Sequence, residues 1–304
     1  MRDTFVKTLL EIAKKDKNVY IITGDLGFGV LKPFWDELPD QIINAGIAEQ
    51  NMTSIAAGLA MQGKIVYTYS IGNFPTLRCI EQIRNDCAYH DANVKVVCVG
   101  GGFVYGSLGM SHHATEDIAM MRSLPNVTVV APGDLVEAAC ATRAIYETPG
   151  TCYLRLGRGG EKRIHGELDS FEIGKAIKIK DGKNVAVFST GAIFDEVDEA
   201  CKCLEKDGIV PTVYTFPTVK PIDREVILEC AAKHSTIITV EEHNLSGGFG
   251  SAVAEVLAES GSAAKLVRIA LDDRYSSVVG TQKYLRKYYS IDSNTIVEKI
   301  KENY

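Results

Sequence analysis

The sequence predicts a two-domain α/β protein, with each domain built on a buried, mainly parallel sheet. Three observations carry this. Short continuous apolar runs recur along the 304 residues, and segments with helical spacing separate them. The runs are near-continuously apolar rather than regularly alternating, which marks strands covered by helices on both faces, a doubly wound arrangement. The rhythm stops once, at residues 157–170 (GRGGEKRIHGELDS), and then restarts.

In the first half, residues 5–14 read as an amphipathic helix and 19–23 (VYIIT) as the first strand. Residues 47–61 read as a helix that is nearly all apolar after its first turn, through Met52, Ile55, Ala56, Leu59 and Ala60. Strands at 64–69, 94–99, 127–130 and 152–156 alternate with helices at 76–88, 116–124 and 135–147. Asp134 follows Pro132 and Gly133 and is placed to cap the last of these helices. In the second half, strands at 185–188, 210–215 and 236–240 alternate with helices at 193–204, 224–232 and 250–260. The first domain is placed at 1–165, a linker at 166–180 and a smaller second domain at 181–304.

The net charge is −6 and no basic stripe is present, which argues against nucleic acid as a partner. No apolar run approaches the roughly 20 residues that span a membrane. The first ten residues read as an amphipathic helix rather than a signal peptide. The eight cysteines are scattered and form no C-x-x-C pair, so they read as reduced thiols of a cytoplasmic protein.

The chemistry concentrates at a strand-to-helix turn, Asn44-Ala45-Gly46-Ile47-Ala48-Glu49-Gln50-Asn51-Met52. Small residues at 45, 46 and 48 let a ligand approach the backbone. Glu49 is either an acid favoured by the helix dipole or a buried carboxylate with a task. The apolar helix behind it favours burial, and a buried carboxylate needs a partner or a function.

G-I-A-E-Q-N-M resembles the signature of the transketolase family. The resemblance implies that Glu49 hydrogen-bonds the aminopyrimidine of thiamine diphosphate, whose own chemistry does the work in a dry pocket. Phe74-Pro75-Thr76-Leu77-Arg78-Cys79-Ile80-Glu81-Gln82-Ile83-Arg84-Asn85 resembles the family's aromatic segment with D-Q-I-R-N. On that register Phe74 stacks on the aminopyrimidine, and Ile71 and Leu77 hold two further positions that are aromatic in the family. Asp25, after the first strand, matches a cofactor-side Asp. Gly109-Met110-Ser111-His112-His113-Ala114-Thr115-Glu116-Asp117 resembles G-x-T-H-Q-x-x-E-D, which makes His112 a reader of substrate hydroxyls and His113 a second substrate-facing residue. Arg155-Leu156-Gly157-Arg158 matches R-L-G-R, so Arg158, with Arg2, implies contact with a sugar phosphate. Lys220-Pro221, and Glu241-Glu242-His243-Asn244 with the following G-G-F-G-S, resemble the family's C-terminal domain, with His243 structural or at an interface. No metal site is expected in this chain.

The family holds the diphosphate and Mg²⁺ through G-D-G and a later Asn, and Gly24-Asp25-Leu26 is not such a motif. The resemblance therefore implies a second polypeptide, an N-terminal diphosphate-binding subunit, in an α₂β₂ assembly. The activity implied is transfer of a two-carbon ketol unit from ketose to aldose. The rivals are a β subunit of a 2-oxo acid enzyme, of deoxyxylulose-phosphate synthase or dehydrogenase type, and a catalytically silent regulatory subunit. Two positions depart from the family. A second substrate-reading His is Gly100 here, and the donor-reading Asp is Leu108. The Ser or Thr expected after D-L is also missing. These changes predict a roomier, less polar pocket and a non-standard sugar.

Overall fold

In the computed structural model, residues 1–168 and 170–304 are described. Among the described residues, twelve strands form two sheets: β1 Val19–Thr23, β2 Ile42–Asn44, β3 Ile65–Ile71, β4 Val94–Val99, β5 Val127–Val130, β6 Thr151–Leu156, β7 Ile177–Lys180, β8 Val185–Ser189, β9 Thr212–Thr215, β10 Thr218–Lys220, β11 Thr236–Asn244 and β12 Lys265–Leu271. The first sheet has the order β10-β5-β6-β4-β3-β1-β2 and the second β12-β11-β8-β9-β7. Every pair is parallel except β10 with β5 and β7 with β9. Every residue of β4 and of β6 is buried, including the polar Lys95, Thr151 and Arg155, as expected for central strands covered on both faces.

The helices cross between these strands. Arg2–Ala13 packs Phe5 and Leu9 onto the sheet, and Glu49–Met61 packs Met52 and Ala56 onto its other face. Asp134 caps Leu135–Glu147, with its carboxylate accepting from the Val136 and Glu137 N–H groups at 2.9 Å each. The predicted helix at 76–88 is irregular: a 3₁₀ turn, a short α-turn and then a π-turn over Ile83–Ala88. Such turns recur at functional sites. No helix among the described residues is long and apolar enough to cross a membrane.

Two findings differ from the expected division of the chain. β7 falls inside 166–180, expected as a linker, and forms the half-buried edge of the second sheet. β10, from the second half of the chain, completes the first sheet by pairing Thr218 with Val130. The second half thus grips the first: the Ala131 N–H donates to the Pro217 carbonyl at 2.8 Å and the Gly191 N–H to the Ala131 carbonyl at 2.9 Å.

The connecting segment is clamped as it crosses. The His165 imidazole lies 3.1 Å from an oxygen of Asp134 and 3.3 Å from one of Glu137, an ion pair on both sides rather than two aligned hydrogen bonds. Burial opposes charge on Asp134, but the His165 imidazole and the N–H groups of Glu137 and His165 prevail and hold it at about 2. Burial also opposes charge on His165, and its two carboxylates overcome this and raise it above its ordinary value.

The strand order decides where chemistry gathers. β6, β4, β3 and β1 lie side by side, so the loops leaving their carboxyl ends form a row. These loops carry Arg158, Gly100, Phe74 and Asp25. Open α/β sheets bind ligands at this edge.

Candidate active site

β2 ends at Asn44, and the chain turns through Gly46 at φ +75°. The Asn44 side chain holds the turn. Its oxygen accepts from the Asp25 and Gly46 N–H groups at 3.0 Å each, and its nitrogen donates to the Asp25 carboxylate at 2.9 Å. Asp25 therefore stands at the exposed mouth, braced against the loop that delivers Glu49. Glu49 opens the helix and is 2% exposed. Gly24 lies against it: a Cβ there would sit 3.4 Å from Glu49 Cγ, at van der Waals contact.

Arg78 Nη1 donates to Glu49 Oε2 at 2.7 Å. Its guanidinium carbon lies 4.7 Å from the Phe74 ring centroid. A flat, delocalised nitrogen group thus rests between a carboxylate and an aromatic face. An aminopyrimidine presents the same features, a flat ring with nitrogen groups at its edge, so the residues present fit that half of thiamine diphosphate. Ile71 closes β3, its carbonyl accepting from the Phe74 N–H at 2.9 Å. Leu77 is exposed at the rim of a pocket of about 310 Å³ that also includes Asn73, Met110 and Tyr275.

His112 packs edge-on against Phe74, with centroids 5.2 Å apart, and it is partly open to solvent. Arg158 is exposed and Arg2 partly so, and Leu108 stands out at 55% exposure. His113, expected to face substrate, lines the same pocket as Leu77 while most of its ring is covered. It is 3% exposed, its Nε2 is 3.2 Å from the Gly106 carbonyl and its ring packs edge-on against Phe103.

Beneath the loop lies a buried ionic network. Arg155 donates to Asp117 from Nε at 2.7 Å and from Nη2 at 3.2 Å, and from Nη2 to the carbonyls of Ala114 and Glu242 at 3.0 Å each. The Tyr153 hydroxyl also donates to Asp117. Burial would raise Asp117, but Arg155 outweighs it and holds the carboxyl below its usual range. From the second sheet, Glu242 accepts from Arg286 at 2.6 Å and from the Phe103 N–H. His243 Nε2 accepts from the Ala119 N–H at 3.2 Å, so it sits at the interface between the two halves. The loops at 100–116 are thus fixed from both halves of the chain.

The fold and this site belong to the transketolase class. A family model described as the transketolase pyrimidine binding domain matches residues 1–160, and one described as the transketolase C-terminal domain matches 174–296. The chain belongs to the transketolase family. It is 35% identical over 298 residues to a subunit of the apulose-4-phosphate transketolase of Phocaeicola vulgatus, covering 97% of this chain and 94% of that one. It is 35% identical over 303 residues to the 6-deoxy-6-sulfo-D-fructose transketolase subunit of a Clostridium species, covering 99% and 94%. A solved split-gene transketolase, described as an inactive tetramer of four β chains, superposes with a TM-score of 0.91 at 34% identity over 99% of this chain and 97% of that one.

Sequence reasoning singled out Glu49, Phe74, His112, Arg2 and Arg158; Phe74, His112 and Arg158 lie in segments that follow strands of the first sheet, Glu49 opens the helix after β2, and Arg2 opens the first helix. It missed Arg78, Asp117, Arg155 and Glu242 as a set. The R-L-G-R and E-D-I-A motifs were the available signal, since a buried Arg at a strand end calls for a buried carboxylate.

Proposed function

We propose that this chain is the pyrimidine-side subunit of a two-chain transketolase. It would transfer a two-carbon ketol unit between sugars once joined to a diphosphate-binding subunit, in a cytoplasmic α₂β₂ assembly. The single observation that carries this is Glu49, buried behind an open face with Phe74 beside it and no G-D-G motif in the chain. That face is apolar and uncovered: Phe28 is 72% exposed and Ile47 79%. A partner seated there would dry the site and bring the Mg²⁺ and the diphosphate donors.

When bound, thiamine diphosphate supplies the carbanion that accepts and passes on the ketol unit. The chain's own residues prepare and guard this chemistry. Glu49 would hold a hydrogen bond to the aminopyrimidine ring nitrogen, and its burial makes that bond strong. Phe74 offers the stacking face, and Ile71 and Leu77 line the ring's surroundings. His112, against the Phe74 edge, is placed to hydrogen-bond a substrate hydroxyl. Asp25 lies on the cofactor side of the mouth. Arg2 and Arg158 supply positive charge at the far end of the row.

The relatives named for apulose 4-phosphate and 6-deoxy-6-sulfo-D-fructose support a non-standard sugar for this chain as well. So do Gly100 and Leu108, where substrate-reading polar groups are absent. Co-purification with the partner subunit, followed by a screen of ketose phosphates, sulfonated ketoses, free ketoses and pyruvate, tests the reading. Cofactor-dependent ketol transfer supports it. Turnover of pyruvate alone would favour the 2-oxo acid reading.

A further inference from the structure

Gly100 leaves the end of β4 with φ at +98°, a conformation that L side chains rarely adopt. Its N–H donates to the Leu156 carbonyl at 2.7 Å, which fixes it against the neighbouring strand. The space above its Cα is taken. A Cβ at Gly100 would lie 2.3 Å from two ring carbons of Tyr105. Carbon atoms rest about 3.5–4.0 Å apart, so the ring sits directly on the glycine. This corrects the expected roomier pocket: the place of a missing His is filled by an aromatic ring from five residues further along.

The ring is held on its other sides as well. The Arg158 guanidinium carbon is 5.3 Å from its centroid, and the His112 ring is tilted at 6.4 Å. The residue is partly buried, yet among the described residues its hydroxyl makes no hydrogen bond. Burial raises this hydroxyl's pKa, while Arg158 and Arg2 pull it down, so both cations act on it. Arg2 keeps Asp3 on its Nε at 2.8 Å, and Arg158 has no ion pair among the described residues. Two guanidinium groups and a neutral tyrosine hydroxyl offer N–H and O–H donors. Such a set calls for an acceptor with negative charge.

We propose that the Tyr105 hydroxyl is a third donor, beside Arg2 and Arg158, to a terminal oxyanion of the sugar substrate. The ring, seated on Gly100, sets how deeply that end can enter. Phosphate and sulfonate share the required chemistry. That the ligand is a sugar rests on the ketol-transfer reading.

The test is a binding measurement on the assembled, cofactor-loaded complex, which needs no turnover. Ribose 5-phosphate and ribose are titrated calorimetrically against wild type and Tyr105→Phe, with inorganic phosphate and methanesulfonate as competitors. Tyr105→Phe keeps the ring on Gly100 and removes only the donor. The wild type prefers the phosphorylated sugar. The variant narrows that preference by about tenfold, the value of one charge-assisted hydrogen bond, while ribose binding holds within about twofold. The stronger competitor distinguishes phosphate from sulfonate as the natural terminus. An unchanged preference, or equal weakening of both sugars, overturns the proposal. Failure of the ketol-transfer reading would appear separately, in the donor screen.

Discussion

Arg78→Met separates the two roles that the structure gives this guanidinium. Arg78 is the one side chain hydrogen-bonded to the Glu49 carboxylate among the described residues, at 2.7 Å. Losing it leaves a carboxylate that is 2% exposed without its donor. Breaking a fully buried pair costs about 3–5 kcal/mol, but Arg78 is 46% exposed, so solvent screening reduces the effect. A loss of about 1–3 kcal/mol remains, or roughly 2–5 °C in melting temperature for a chain of this size. The effect on the cofactor runs the other way. On the proposed function the aminopyrimidine would take the place between Glu49 and Phe74 that Arg78 holds here, so removing Arg78 would relieve competition. Scanning calorimetry of the isolated chain and cofactor titration of the complex read the two effects. We expect a less stable free chain with cofactor affinity equal to or tighter than wild type. An unchanged melting temperature, or a tenfold loss of cofactor affinity, refutes the reasoning.

Phe74→Ala removes the stacking face and should weaken cofactor retention by about three- to tenfold, with assembly intact by size-exclusion chromatography. Unaltered affinity would show that the residue 71–77 register is wrong. The His165 clamp carries a pH signature. His165 is raised in the fold, so its stabilisation is full below its ordinary value near 6.5 and is lost as pH rises through the folded value. Asp134, held at about 2, stabilises above the ordinary carboxylate range and loses that as pH falls towards 2. Between about pH 5.5 and 8.5 the wild-type melting temperature should fall more steeply than that of His165→Asn; parallel curves would remove the clamp from the account.

The sequence disclosed the parts of this protein whose reasons are local. The mainly apolar runs at β4 and β6, the Asp134 cap and the turn delivering Glu49 all follow from neighbouring residues. Pairings set by the tertiary fold were hidden. β7 and β10 are short edge strands, antiparallel to their neighbours, and neither has the long apolar run of a central strand. β12 is mostly half-exposed, with Lys265 and Arg268 breaking its pattern, and the helices at Gln282–Tyr288 and Ser293–Asn303 gave no expectation either. Arg78 reaches back 29 residues to Glu49, and no spacing rule links the two. At Gly100 the family resemblance was informative about what is missing and silent about Tyr105, because a ring can fill a space from another position.

On the proposed function Glu49 drives activation of the shared cofactor, and proton exchange on the cofactor reads that step alone. In the complex assembled with the diphosphate-binding subunit, hydrogen–deuterium exchange at the thiazolium carbon is followed by rapid quench for wild type and Glu49→Gln. Gln keeps the shape and one hydrogen-bonding oxygen but cannot share the proton. The account predicts exchange slowed by about 10²-fold or more, the typical contribution of a positioned acid–base group. Exchange at the wild-type rate in an intact, cofactor-loaded Glu49→Gln complex would contradict it.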